Sequence, residues 1–172
     1  RFRNVTGVQT CALPIYDQVA TDFRLFVRRA IGLVIADIEA VQHALKESAA
    51  LNSEVLLPAY THLRRAQPIR WSHYCMAFVD MFGRDRERFE QSLGRVDVLP
   101  LGSGAVAGSN FHMDREAVAR ELGFARVSSN SLDATCDRDF VAEFLSHCSL
   151  LMVHASRDRK STRLNSSHVS ES

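Results

Sequence analysis

The 172-residue sequence has no uncharged apolar run approaching the roughly 18 residues that a membrane-spanning helix needs, so no membrane partner is expected. It lacks an excess of either charge: 21 Lys and Arg stand against 20 Asp and Glu, a formal net charge of +1. Nucleic-acid binding normally needs a strongly basic face, and none is offered here. Its four cysteines, Cys11, Cys75, Cys136 and Cys148, lie far apart without paired spacing. That argues against a disulfide framework and a zinc site, and fits free thiols in a reducing, cytoplasmic compartment. No cluster of metal-ligating side chains is present, so no metal is expected. The segment Leu101-Gly-Ser-Gly-Ala-Val-Ala-Gly108 lacks the Gly-Lys-Ser/Thr ending of a phosphate-binding loop, and no strand pattern precedes it. It is read as a turn that lets helices approach closely.

Composition changes at both ends. Residues 1–16 show neither helical nor strand periodicity, and residues 158–172 are serine-rich with almost no large apolar side chain. Both strings resemble translated sequencing-adapter read-through, and both are expected to be non-native or disordered. Five of the basic and two of the acidic residues lie in these ends, which leaves the body, residues 17–157, at −2.

Within that body the spacing predicts an all-α fold. From Asp17 to about Asn52 the residues Val19, Phe23, Phe26, Ala30, Val34, Ile38, Val41 and Leu45 recur at three- and four-residue intervals, the stripe of one long helix. A loop holding Pro58 and Pro68 is expected next, then a helix from about Ser72 to Asp97 with Phe78, Phe82, Phe89, Leu93 and Val96 on one face. Its Arg84-Asp85-Arg86-Glu87-Arg88 run reads as a solvated charged face. A short helix over Asp114–Leu122 should end at Gly123, and a last helix should start near Asp137 and reach at least Arg157. No hairpin pattern is visible. Helices this long need partners along their whole length, which points to part of a large helical bundle completed by other subunits.

The densest chemistry is Tyr60-Thr61-His62-Leu-Arg64-Arg65-Ala-Gln67-Pro68, which gathers a hydroxyl, an imidazole, two guanidiniums and an amide. His62 is the candidate proton-transfer group, because an imidazole gives and takes protons near neutrality. His43, His73, His112, His147 and His154 have no comparable setting and are read as structural or surface residues.

Four segments, in order, resemble argininosuccinate lyase: Asp17-Gln-Val-Ala-Thr-Asp22, Tyr60–Pro68, Pro100-Leu-Gly-Ser-Gly-Ala-Val-Ala-Gly108 and Asn130-Ser-Leu-Asp-Ala-Thr-Cys-Asp-Arg-Asp-Phe140. The Thr-His and Ala-Gln-Pro elements recur across the wider fumarase/aspartase superfamily, whereas the Leu-Gly-Ser-Gly-Ala and Asn-Ser-Leu-Asp-Ala segments point to this branch. The resemblance implies a central helical bundle, a homotetramer whose active sites each draw on several subunits, and no cofactor. It implies reversible elimination of argininosuccinate to arginine and fumarate in arginine biosynthesis and the urea cycle. His62 would be one member of the proton-transfer pair, with its direction of action left open, and Thr61 would bind substrate.

Two departures bear on activity. The family has Ser-Arg-Asn before Asp17-Gln18, where this sequence has Ile15 and Tyr16, and the family's serine loop is not found after Arg157. The chain is therefore expected to be an internal fragment, inactive alone. Ala59, Arg64 and Cys136 also differ from the common family residues. The alternatives are another superfamily lyase, of the adenylosuccinate or fumarate type, or a non-enzymatic protein like the delta-crystallins.

Overall fold

Helix α1 (Tyr16–Leu51) runs 36 residues without a break, because no proline interrupts it and its apolar and paired polar residues keep helical spacing. In this computed structural model, residues 16–61, 64–110 and 113–167 are described, with side chains described as far as Arg157. After α1 come strands β1 (Leu56–Thr61) and β2 (Arg64–Arg70), then helix α2 (Trp71–Val96) and the two-residue strand β3 (Val98–Leu99). Helix α3 (Arg115–Leu122), strand β4 (Arg126–Val127), helix α4 (Ser131–Cys136) and helix α5 (Asp139–Ser167) complete the order. The fold class is all-α, built on three long helices.

Two compact units divide the chain. The first takes the chain through Ala30 together with Ser92–Glu143, and the second takes Ile31–Gln91 with the chain from Phe144 onward. In the first unit β3 lies parallel to β4 through Val98↔Arg126 and Leu99↔Val127. Leu99, Ala119 and Phe124 form a buried cluster there, with Leu25, Leu101 and Leu122 packed on it. Helix α3 has the termini its sequence predicts: Asp114 accepts from the Ala117 amide at the start, and Gly123 closes the end in the left-handed region.

In the second unit Phe78, Phe82 and Phe89 of α2 are buried, as the spacing predicts, and Cys75 and Val79 are buried with them. The expected solvated run Arg84–Arg88 is corrected at its second residue, which is buried. Asp85 is 1 % exposed and takes the His154 Nδ1 at 2.6 Å and the Arg88 guanidinium at 3.0 Å. A carboxylate can sit in a helix core when two cationic or donor groups meet it, and apolar spacing does not register such a group.

Helix α1 also departs from its predicted stripe. The buried positions are Asp17, Ala20, Thr21, Arg24, Val27, Ile31, Ile38, Gln42 and Ala49, whereas Phe26 and Val41 are exposed. The inner stripe holds polar side chains satisfied by backbone, as where Gln42 Nε2 donates to the Val79 carbonyl at 2.8 Å. Of the predicted stripe Ile38 is buried and Val19, Phe23, Ala30, Val34 and Leu45 are half-buried, while Phe26 and Val41 face away from the inner stripe.

The segment around Pro58 and Pro68 is an antiparallel hairpin and not a loop. Its register runs Leu56↔Arg70, Leu57↔Ile69, Pro58↔Pro68, Tyr60↔Arg65 and Thr61↔Arg64, with a bulge between Pro58 and Tyr60. Both strands are largely exposed, so the alternation of buried apolar residues that betrays a strand is missing. The bulge breaks the two-residue period again. Helix α4 was not expected either, although Asn130 marks its start by accepting from the Leu132 and Asp133 amides. Helix α5 continues past Arg157 to Ser167, where composition predicts no structure. Extending an existing helix avoids the nucleation cost of starting one.

Two glycines make opposite predictions. Gly104 has φ +63° and a Cβ there would stand 2.4 Å from the Gly108 carbonyl oxygen, so Gly104→Ala should destabilise by about 2 kcal/mol or more. Gly32 lies mid-helix with open space beside it, so Gly32→Ala should stabilise by about 0.5–1 kcal/mol. Thermal melts of the two variants check both signs.

Candidate active site

The hairpin carries the first group of candidate residues. Its base is fixed where the Trp71 amide donates to the Val55 carbonyl at 2.8 Å and the Trp71 indole N–H donates to Ser48 Oγ at 3.0 Å. Arg70 adds an ion pair with Glu54 at 2.9 Å. The other end of the ladder is the Thr61↔Arg64 pair, and Thr61, Arg64 and Arg65 are all exposed. Thr61 is thus an exposed hydroxyl at the end of a paired strand, with two guanidinium-bearing residues on the neighbouring strand. His62 lies outside the described residues, as do Leu63, Phe111 and His112. His43 and His73 are exposed, and His147 packs edge-on against Phe89 with ring centroids 5.5 Å apart.

The remaining three motif segments belong to the first unit, where backbone and side-chain bonds bring them together. The Asp17 carboxylate accepts from the Gly102 and Gly104 amides, each at 2.9 Å. Ser131 Oγ donates to the Val106 carbonyl at 2.8 Å, which ties the start of α4 to the same Gly-rich turn. Arg115 reaches three places at once: its Nε donates to the Leu101 carbonyl at 2.8 Å, and its guanidinium also donates to the Leu99 carbonyl and to Ser128. These contacts order the non-helical connections, and only their glycines were visible in the sequence.

Arg24, 4 % exposed, is the buried cation of this unit. It pairs with Asp137, donates to the Arg95 and Val96 carbonyls, and lies over the Phe140 ring at 4.4 Å. Burial pulls its guanidinium below the ordinary arginine value, and the Asp137 charge works against that shift. A cavity of about 800 Å³ opens beside it, lined by Arg24, Arg95, Arg126 and Arg138 together with Asp133 and Asp137. Sequence reading missed Arg24, because a buried arginine on a helix leaves no trace in apolar spacing. Among the described residues no group of three or more His, Cys, Asp or Glu side chains is placed to hold a metal ion. No described helix is long and apolar enough to cross a membrane.

A family profile described as lyase matches residues 13–167, a range wider than the body at both ends. The argininosuccinate lyase of Sulfurihydrogenibium sp. (strain YO3AOP1) is 53% identical over 141 residues, covering 82% of this chain and 31% of that protein. The argininosuccinate lyase of Bacillus subtilis (strain 168) is 51% identical over 141 residues, with the same two shares. A crystal structure of EDDS lyase in complex with formate superposes with a TM-score of 0.85 at 26% identity, covering 88% of this chain and 30% of that one. The chain spans about a third of the length of the curated relatives it matches.

Proposed function

This chain belongs to the lyase family, and from that premise we propose that it supplies part of an argininosuccinate lyase, which reversibly splits argininosuccinate into arginine and fumarate. The observation that supports this reading best is identity of about half over 141 residues to proteins of that activity, in a chain that carries all four motif segments. The exposed hydroxyl of Thr61 at the end of a braced hairpin fits a substrate hydrogen bond, and His62 follows it directly in sequence.

The chemistry is a β-elimination. A base removes the proton from the carbon beside a carboxylate, and that electron pair forms the carbon–carbon double bond of fumarate. The carbon–nitrogen bond breaks, and the departing nitrogen takes a proton to leave as arginine. His62 is one of the two groups that move these protons, and no metal or organic cofactor takes part. Negative charge that builds on the carboxylate needs fixed donors around it.

A homotetramer fits the unused apolar surface. Phe26, Leu33 and Val41 on α1 are 64%, 59% and 45% exposed, at seven- and eight-residue spacing that keeps them on one helix face. Leu145 and Met152 repeat the seven-residue interval on α5, 57% and 64% exposed. Helix faces of this kind are covered by neighbouring helices in a bundle. A cytoplasmic location and a role in arginine biosynthesis follow from the same reading.

A second reading, another superfamily lyase of the adenylosuccinate or fumarate type, is supported by the likeness to EDDS lyase. A substrate panel separates the two. Residues 17–157 are set into the frame of a full-length relative, and argininosuccinate, adenylosuccinate and EDDS are offered in turn while fumarate absorbance is followed. Turnover of argininosuccinate above the others is expected; preference for either alternative supports the second reading. The 172-residue chain alone is expected to show none.

A further inference from the structure

The Gly-rich turn between β3 and α3 has a feature that its reading as a close-approach turn does not explain. Gly102 and Gly104 both take positive φ, +92° and +63°, and their amide N–H groups converge on a single oxygen, Asp17 Oδ2, at 2.9 Å each. The amide between them turns away, since the Ser103 N–H donates to the Pro100 carbonyl at 3.1 Å. Backbone amides that converge this way form a concavity suited to an anion.

The concavity is built into the fold. The Gly108 amide donates to the Ser103 carbonyl at 2.7 Å and closes the turn behind it. Arg115 lies against Gly102, where a Cβ would come within 2.9 Å of its side chain, and its Nε holds the Leu101 carbonyl at 2.8 Å. The carbonyl side of the turn thus meets a guanidinium, and the amide side meets a carboxylate. Asp17 is 6% exposed, so its charge is withdrawn from water and depends on these amides.

We propose that Leu101–Gly108 is a carboxylate-binding cradle whose resident ligand is the side chain of Asp17, and that this contact positions the first turn of α1 against the turn. The cradle recognises a carboxylate oxygen and not the aspartate as such. Removing the Asp17 side chain therefore leaves a site that takes a small free monocarboxylate from solution. The proposal stands on this geometry and does not depend on the lyase reading.

Asp17→Ala and Asp17→Asn in the 172-residue chain, melted with and without acetate at constant ionic strength, test it. Two charge-assisted hydrogen bonds are lost in Asp17→Ala, so its midpoint should fall by roughly 5–10 °C. Acetate at about 100 mM should recover roughly 2 °C or more of that loss, because a ligand that binds only the folded state raises its stability. The unsubstituted chain should not respond, since Asp17 fills the site. Both amides share one oxygen, so the side-chain oxygen of Asp17→Asn can accept both without the charge, and its loss should be about half. Folding of Asp17→Ala only when acetate is present also supports the cradle. If it folds in neither condition, the Gly102 and Gly104 amides of Asp17→Asn decide: hydrogen exchange roughly tenfold faster than in the unsubstituted chain supports the proposal. Unchanged exchange there, an unchanged Asp17→Ala midpoint, or an equal acetate response in all chains overturns it.

Discussion

Replacing His62 with asparagine, in the full-length frame rebuilt around residues 17–157, is expected to lower turnover of argininosuccinate by about 10² to 10⁴, the usual contribution of a general acid or base. Asparagine keeps similar size and polarity but cannot exchange a proton near neutral pH. The substitution is expected to leave the melting temperature near its starting value. Thr61→Ala should behave differently, because the role proposed for Thr61 is a hydrogen bond to substrate and not proton transfer. Leaving a bound polar group unpaired costs on the order of 1–3 kcal/mol, or roughly 5- to 150-fold in kcat/KM. His43→Asn, at an exposed position on α1, is the control and should change little. Equal turnover for His62→Asn and His43→Asn, at equal melting temperature, removes His62 from the proton-transfer pair.

Asp85→Ala should be the most damaging single change to stability. Asp85 is 1% exposed, and its carboxylate joins α2 to α5 through His154 at 2.6 Å while also meeting Arg88 at 3.0 Å. Removing one side of a buried carboxylate contact typically costs about 3–5 kcal/mol, since the buried partner is left without compensation. Phe89 packs beside this region against Phe144 and His147, at centroid distances of 5.9 and 5.5 Å, so the vacated space has little freedom to collapse. Asp85→Asn keeps the shape and one acceptor, and should lose less. Denaturant unfolding of both variants measures the difference. A loss for Asp85→Ala below about 1 kcal/mol, the size of a surface ion pair, contradicts the buried role.

Asp85 also shows where the sequence stopped being readable. The apolar spacing of α2 identified Phe78, Phe82, Phe89 and Val96 as its inner face, and each is buried. The same spacing places Asp85 on that face, yet its charge assigned it to solvent. Helix α1 failed by the same route on a larger scale. Its inner stripe contains Asp17, Arg24 and Gln42, whose partners lie 37 or more residues away in sequence, and no local pattern reports them. Periodicity followed the large apolar residues to a face that is open at Phe26 and Val41. The hairpin was hidden by its exposure, by paired prolines and by a bulge. The caps of α3 were read well, because Asp114 and Gly123 act within one turn of their own positions. Thr61 stands out in the sequence as a motif residue, whereas the contacts of Arg115 with the turns arise only on folding.

The central claim, that residues 17–157 belong to an enzyme cleaving argininosuccinate, is tested most directly by product stoichiometry. The rebuilt full-length enzyme is mixed with argininosuccinate, fumarate is followed by absorbance, and free arginine is assayed in the same samples. One arginine released for each fumarate, with both lost together in the His62→Asn variant, is the predicted result. No fumarate from argininosuccinate, by a rebuilt protein that melts cooperatively, contradicts the account.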